Sequence, residues 1–190
     1  MGILSKNLWL FLSLLALAAL ISGCTKCVKF DSIPPETRWG APAGHSSGDV
    51  VYNEDNIEVS VHDFYLSATS TNFGETRLGT SFTGSGGQAL FTRDINLEFD
   101  FSNLSFTPNK VELVFRDTGG IENISVNGSP IIRGALVSGS AAGLTWTVTD
   151  TPEPANPVNR LGTLIINGNI ETLKIGGQEF WIDSVCAQKE

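Results

Sequence analysis

The chain has 190 residues, of which 41% are hydrophobic, and a formal net charge of −8. This length suits one domain of ordinary size with a real core. The negative charge argues against binding to nucleic acid or to anionic membrane surfaces, because both need basic patches. It suits an exported protein, and one that binds divalent cations.

Residues 1–23 have the pattern of a bacterial export signal. Lys6 supplies a positive amino-terminal region, and residues 8–21 form an apolar run that is too short to favour a stable membrane span. The run ends in Leu20-Ile21-Ser22-Gly23-Cys24, which resembles the lipobox of bacterial lipoproteins. The resemblance implies cleavage before Cys24 and acylation of that cysteine. An ordinary secretory leader followed by a chance cysteine is the alternative.

Acyl chains on Cys24 would anchor the protein in the bacterial cell envelope, since each buried CH₂ contributes roughly 0.8 kcal/mol. Residues 24–29 are then the lipidated cysteine and a short tether, and the folded domain, residues 27–190, lies close to the membrane. Thr25, rather than an aspartate, follows Cys24. In enteric-type bacteria this is compatible with transfer to the outer membrane.

Two further cysteines, Cys27 and Cys186, flank the whole domain. Because an exported chain meets oxidising conditions, we expect a Cys27–Cys186 disulfide, with two free thiols as the alternative. The bridge requires a first strand, residues 27–31, to lie beside a last strand, residues 178–185.

Short β-strands follow one another between these two ends. Apolar and polar residues alternate with period two in residues 57–62, 95–101 and 110–116, which places polar side chains such as those of Asn96, Glu98 and Asp100 in water. Helical periodicity is absent outside the leader. About a dozen short strands at this spacing predict an all-β fold, an antiparallel β-sandwich that is jelly-roll-like.

Glycine and proline mark the connections between the strands. Asn-Gly pairs at 127–128 and 167–168 each predict a hairpin, the first with a type I′ turn and the second between strands 161–166 and 170–175. Residues 32–48 and 150–159 hold clusters of Pro or Gly and predict loops without regular structure.

The candidate catalytic patterns have simpler explanations. Residues 44–48, Gly-His-Ser-Ser-Gly, match the nucleophile elbow of serine hydrolases, with His62 left as the base, but the elbow needs a strand before it and a helix after it. Glu98 and Asp100 could form a glycosidase pair, yet solvation of an outer sheet face explains them. We therefore expect a protein that is not an enzyme.

Two aspartates form a candidate calcium site. Asp31 near the start and Asp183 within Trp181-Ile182-Asp183 near the end come together if the terminal strands pair. This layout resembles carbohydrate-binding-module and galactose-binding-like jelly rolls, where an acid after the first strand and an Asp in the final strand hold a structural Ca²⁺. The resemblance implies that Asp31, Asp183 and backbone carbonyls bind this ion. The alternative is that both aspartates cap strand ends or face water.

Two tryptophans are candidates for a sugar platform. Trp39 lies in the predicted Pro/Gly-rich loop, and Trp181 is out of phase with Phe180 and Ile182, so that its ring either packs in a second layer or stands exposed. Trp146 is in phase with apolar neighbours, which is typical of a core residue.

Two functions fit these features. The first is a membrane-anchored lipoprotein with a non-catalytic β-sandwich module that binds carbohydrate or a neighbouring cell-envelope protein. The second is a structural cell-envelope or matrix-assembly protein without a small-molecule ligand. A concave face that carries an aromatic ring and several polar side chains favours the first, and a flat charged face with an open edge strand favours the second.

Overall fold

The computed structural model describes residues 24–82 and 87–190, so the predicted signal peptide lies outside the described residues. The described part contains sixteen β-strands and one short 3-10 helix at Ala41–Ala43. The strands are β1 (Cys24–Val28), β2 (Arg38–Gly40), β3 (Val50–Glu54), β4 (Ile57–Tyr65), β5 (Thr71–Asn72), β6 (Glu75–Thr80), β7 (Gln88–Arg93), β8 (Ile95–Asp100), β9 (Lys110–Asp117), β10 (Glu122–Val126), β11 (Ile132–Gly134), β12 (Gly139–Ala141), β13 (Leu144–Glu153), β14 (Asn156–Asn167), β15 (Thr172–Gly177) and β16 (Phe180–Lys189).

The strands form two antiparallel sheets, which confirms the predicted all-β sandwich. Sheet A has the order β12-β13-β14-β9-β16-β7-β6-β2, and β1 pairs with the second half of β16. Sheet B has the order β11-β10-β15-β8-β4-β3, and β5 pairs with β4. Several consecutive strands, such as β14, β15 and β16, alternate between the two sheets.

The core lies between the sheets and is built by the period-two alternation of the strands. On β8 and β9 every second side chain, Leu97 and Phe99 or Leu113 and Phe115, is almost fully buried. The Phe115 ring stacks on Phe180 of the neighbouring strand β16, with ring centroids 5.4 Å apart. This inward set leaves the alternate residues of the same strands on the two outer faces.

The two ends of the domain lie side by side, as the cysteines predict. β1 runs antiparallel to β16, with Cys27 opposite Cys186, and the two residues form a disulfide. The pairing begins at Cys24, opposite Lys189, so that most of the segment expected to be a tether is a strand of sheet A.

Residues 32–48 contain regular structure, so the prediction of a loop without it was wrong. Arg38–Gly40 forms β2 at the edge of sheet A and pairs with β6. Gly40 has a φ of 103°, and a Cβ there would collide with the carbonyl oxygen of Gly74, so this edge requires glycine. A strand of three residues is too short to show alternation, which explains the missed assignment.

The prediction of a loop at residues 150–159 was also wrong. β13 continues to Glu153 and β14 begins at Asn156, so the two strands form one long hairpin. β12 pairs only with Leu144–Trp146 of β13, so Pro152 lies on an open edge of the sheet. Proline is tolerated there because no strand on that side needs its missing N–H.

The two Asn-Gly pairs form different connections. At 127–128 both residues have positive φ, 48° and 67°, and the Ser129 N–H donates to the Val126 carbonyl at 2.9 Å, which confirms the type I′ hairpin between β10 and β11. At 167–168 the predicted hairpin was wrong, because β14 belongs to sheet A and β15 to sheet B. The second pair is a crossover between the sheets.

Candidate binding groove on the outer face of sheet B

A row of polar side chains crosses the outer face of sheet B. Ser60 on β4 is in register with Glu98 on β8, Glu98 with Lys174 on β15, and Lys174 with Ser125 on β10. Neighbouring strands lie about 4.8 Å apart, so the row brings together four side chains that are distant in sequence. We call Ser60, Glu98, Lys174 and Ser125 the polar row.

The Glu98 carboxylate lies between the side chains of Lys174 and His62. Its Oε2 lies 3.1 Å from the Lys174 ammonium, and its Oε1 lies 3.6 Å from Nε2 of His62. The same His62 nitrogen is 3.0 Å from the Ser60 hydroxyl. Burial and the Lys174 charge lower the pKa of His62, while Glu98 and Asp63 oppose that shift. His62 is therefore mainly neutral at pH 7 and can donate or accept a hydrogen bond.

Part of the polar row forms one wall of a groove of about 420 Å³. The β10–β11 hairpin borders the groove through Gly128, Ser129 and Pro130, and the end of β4 borders it through Tyr65. Its lining is completed by Ala68, Glu98, Ser125, Ile131, Arg133 and Lys174. The groove thus combines a carboxylate, two cations, hydroxyl groups and one aromatic side chain.

Buried amides beneath the groove hold Tyr65 in place. Asn123 is fully buried, and its Oδ1 accepts hydrogen bonds from the Tyr65 N–H at 2.7 Å and from Asn96 Nδ2 at 3.2 Å. Its Nδ2 donates to the Tyr65 carbonyl at 3.1 Å. Asn96 is also fully buried, so the prediction that it faces water was wrong, because its amide bonds to the Asp63 carbonyl instead.

The predicted platform tryptophans lie on sheet A, away from this groove. Trp39 on β2 is buried and stacks on Tyr52 with centroids 6.0 Å apart, so its ring offers no exposed face. Trp181 on β16 lies half-buried on the outer face of sheet A, 4.9 Å from the Phe91 ring. The two rings are on opposite faces of the sheet.

The two predicted calcium ligands hold opposite ends of the connection between β6 and β7. Asp31 Oδ1 accepts the Gln88 N–H at 3.0 Å, and Asp183 Oδ1 accepts the Ser81 hydroxyl at 2.5 Å. Within residues 24–82 and 87–190, no group of three or more His, Cys, Asp or Glu side chains has an arrangement that could hold a metal ion. Calcium binding stays a prediction.

The Gly-His-Ser-Ser-Gly segment lies between the 3-10 helix and β3 rather than between a strand and a helix. Its polar groups serve the loop: His45 Nδ1 accepts the Gly40 N–H at 3.3 Å, and the Ser47 hydroxyl accepts the Asp63 N–H at 3.1 Å. His62, the base this pattern would need, instead faces Ser60 and Glu98 in the polar row. Asp100, the proposed partner of Glu98, accepts the Ser102 N–H at 2.8 Å.

Comparison with known proteins found no matching family model, curated protein or solved structure. Among the residues that the structure describes, no helix is both long and apolar enough to span a bilayer.

Proposed function

We propose that this protein is a membrane-anchored bacterial lipoprotein whose β-sandwich is a non-catalytic module that binds carbohydrate in the groove on sheet B. The observation that carries the proposal is the groove whose walls include both Tyr65 and part of the polar row. Sugars present hydroxyl groups that donate and accept hydrogen bonds, and apolar C–H faces that pack on aromatic rings. The groove offers Glu98 as acceptor, Lys174 as donor and Tyr65 as an aromatic neighbour, in a volume typical of small-molecule sites.

A glycan array with the purified protein tests this site. We expect a soluble glycan to bind, and Glu98→Gln and Lys174→Met to weaken binding at least about tenfold, because hydrogen bonds to charged groups contribute about 1.5–3 kcal/mol. Glu112→Gln is the matched control, since Glu112 lies on the outer face of sheet A. Equal affinity for both groove variants and wild type, or no bound glycan, would contradict the proposal.

We propose that lipidation at Cys24 anchors this module. Cys24 is exposed and lies outside the disulfide, at the first residue of β1. We expect Cys24→Ala to abolish incorporation of labelled fatty acid and to release the protein from membranes. The Cys27→Ser/Cys186→Ser variant should keep the label. Membrane retention of the unlabelled Cys24→Ala protein would contradict lipid anchoring.

Structural calcium would join the two aspartates at the base of the β6–β7 connection. If Asp31 and Asp183 hold Ca²⁺, EDTA should lower the melting temperature of the wild-type protein and have no effect on Asp183→Asn. Identical melting curves with and without the chelator would reject the site.

A structural role in the envelope is the second candidate, and the outer face of sheet A favours it. Arg77, Phe91, Trp181 and Arg116 are in register across four adjacent strands. Phe91 also lies 5.6 Å below the Arg93 guanidinium. Aromatic and arginine side chains are enriched where proteins contact one another. If no glycan binds, crosslinking in cells that depends on Trp181 would support this alternative.

A further inference from the structure

A small cavity opens at the edge of the sandwich, where the chain crosses from β11 in sheet B to β12 in sheet A. Its volume is about 150 Å³, which is similar to that of an apolar protein cavity known to hold a benzene ring. The walls are mainly apolar and include Ile124, Ile132, Leu136, Val137, Gly139 and Trp146. The cavity lies on the inner side of β10, whereas the carbohydrate groove lies on its outer side.

Glu122 is a buried acid in the wall of this cavity. It is in phase with Ile124 and Val126 on β10, so its side chain points between the sheets, and only 2% of it is exposed. Among the residues that the structure describes, none makes a hydrogen bond to either carboxylate oxygen. Arg133 also lines the cavity but makes no hydrogen bond to this acid. A buried carboxylate without a donor is costly, so the ionised form of Glu122 needs a partner that these residues do not supply.

The surroundings hold Glu122 largely in its neutral form. Burial, and next the negative charge of Asp117, raise the pKa of Glu122 to about 8, although the backbone at Leu136 offsets part of the shift. The nearby charge of Asp117 thus favours the neutral acid over the carboxylate. As a carboxylate, Glu122 could be stabilised by a cation that enters the cavity.

The wall beside Glu122 has a fixed shape. The Trp146 indole N–H donates to the Val137 carbonyl at 2.9 Å, which fixes the ring. Gly139 faces Trp146 across the β12–β13 pair, and a Cβ at that position would lie 2.8 Å from the indole. Leu136 and Ile124 are also buried, so the cavity presents a preformed apolar surface with one acidic group.

We propose that this cavity binds a small organic ammonium ion, whose charged head pairs with Glu122 and whose apolar body packs against Leu136, Ile124 and Trp146. An ammonium group supplies the donors that the carboxylate lacks, and the nearby Trp146 ring favours a cation over an anion. The carboxyl groups of Glu122 and Asp117 disfavour an anion further. This site shares only the lining residue Arg133 with the carbohydrate groove, and Arg133 is not one of the proposed contacts of the ammonium ion.

Binding should release a proton. Before binding, Glu122 is mainly protonated at pH 7, because its pKa is raised to about 8. When the ammonium ion enters, Glu122 gives its proton to the solvent, and the carboxylate pairs with the incoming charge. The cavity therefore gains no net charge, and proton release distinguishes ion pairing from simple apolar packing.

Titration calorimetry of the whole protein with benzylammonium, benzyl alcohol and benzoate tests the proposal. Two buffers with different ionisation enthalpies measure proton release. We expect benzylammonium to bind with release of close to one proton at pH 7, benzyl alcohol to bind more weakly without release, and benzoate to bind least. Glu122→Gln should weaken benzylammonium binding at least about tenfold, because one charge of a buried pair is lost, and should leave benzyl alcohol unaffected.

Glu112→Gln, the same change on the outer face of β9, is the control and should bind benzylammonium as the wild type does. Thermal unfolding of each variant checks that it is folded. The proposal is overturned if benzylammonium fails to bind at about 10 mM, a concentration that detects even weak sites. Equal affinity in Glu122→Gln, binding without proton release, or benzoate binding as tight as benzylammonium would overturn it as well.

Discussion

The ionisation of Glu122 links the stability of this protein to pH. Its pKa is raised to about 8 in the folded state, mainly by burial, and the ordinary value is 4.5. Between these values the unfolded chain loses the proton while the folded chain keeps it. The free energy of unfolding should therefore fall as the pH rises from 4.5 to 8, by about 1.4 kcal/mol per unit, and change little above pH 8.

Chemical denaturation from pH 4 to pH 9 measures this effect. In Glu122→Gln the group no longer titrates, so the fall should largely disappear and the variant should be more stable than wild type at pH 8. Glu112→Gln should retain the wild-type profile. Parallel profiles for wild type and Glu122→Gln would show that Glu122 ionises as easily in the folded protein as in the unfolded chain.

Asn123 is the second residue whose burial determines local structure. Its side chain makes three hydrogen bonds, two of them to the backbone of Tyr65. We expect Asn123→Ala to lower the free energy of unfolding by about 2–3 kcal/mol, because it strands a buried N–H and C=O. The exposed Asn103 provides the control, since Asn103→Ala should change stability by less than about 0.5 kcal/mol. Equal denaturation midpoints for the two variants would contradict the role of Asn123.

The inward position of Glu122 could have been predicted from the sequence. Glu122 shares its phase with Ile124 and Val126, so the alternation within β10 itself places the acid inward. For Asn96 the same rule gave the wrong answer. Asn96 lies on the polar side of β8, and it is buried only because Asn123 and Asp63 cover it from other strands.

At the level of elements, the side chain of Asn127 ties the β10–β11 hairpin to the segment that leads into β15. Its Oδ1 accepts the Glu171 N–H at 2.8 Å and the Thr172 N–H at 3.2 Å, and its Nδ2 donates to the Asn169 carbonyl at 2.9 Å. Asn127→Ala removes these bonds and places alanine at a positive φ. We expect a loss of about 1–3 kcal/mol in unfolding free energy, measured by urea denaturation.

Asn127→Asp is the matched comparison, because it keeps the Oδ1 acceptor and tolerates the turn conformation. It should lose less stability than Asn127→Ala. If both variants lose the same amount, the bonds to Glu171 and Thr172 contribute nothing measurable.

Local sequence could predict the hairpin at 127–128 but not the crossover at 167–168. The two Asn-Gly pairs are identical, and each follows an apolar strand. An Asn-Gly pair forms a hairpin only if the strand after it pairs with the strand before it. After residues 127–128, β11 pairs with β10. After residues 167–168, β15 pairs with β8 and β10 in sheet B, whereas β14 belongs to sheet A. Such a choice is made by contacts between distant parts of the chain.

For the molecule as a whole, the Cys27–Cys186 disulfide closes almost the entire domain. The two cysteines are 159 residues apart in sequence. Replacing both with serine should destabilise the protein by up to about 5 kcal/mol, because the unfolded chain regains the entropy of a long open loop. Cys24→Ser should leave the melting temperature unchanged, since Cys24 is exposed. An unchanged melting temperature in the double variant would contradict this contribution.

The sandwich and the disulfide could be predicted because period-two alternation and cysteine placement are visible along the chain. The groove could not be predicted in the same way. Ser60, Glu98, Lys174 and Ser125 lie on four strands, and only the order β10-β15-β8-β4 aligns them. The burial of Trp39 could not be predicted either, because Tyr52 and the core cover a ring that an irregular loop would have exposed.

The disulfide also determines how the protein responds to mechanical force. A pull on Cys24 crosses three residues to Cys27 and then passes through the bridge into β16, which lies inside sheet A. The 159-residue separation, more than about 500 Å of extended chain, is bypassed by that covalent link. A pull between Cys24 and a residue beyond Cys186 could therefore strip only the terminal residues, and the domain between the cysteines would keep its length until the bridge is reduced.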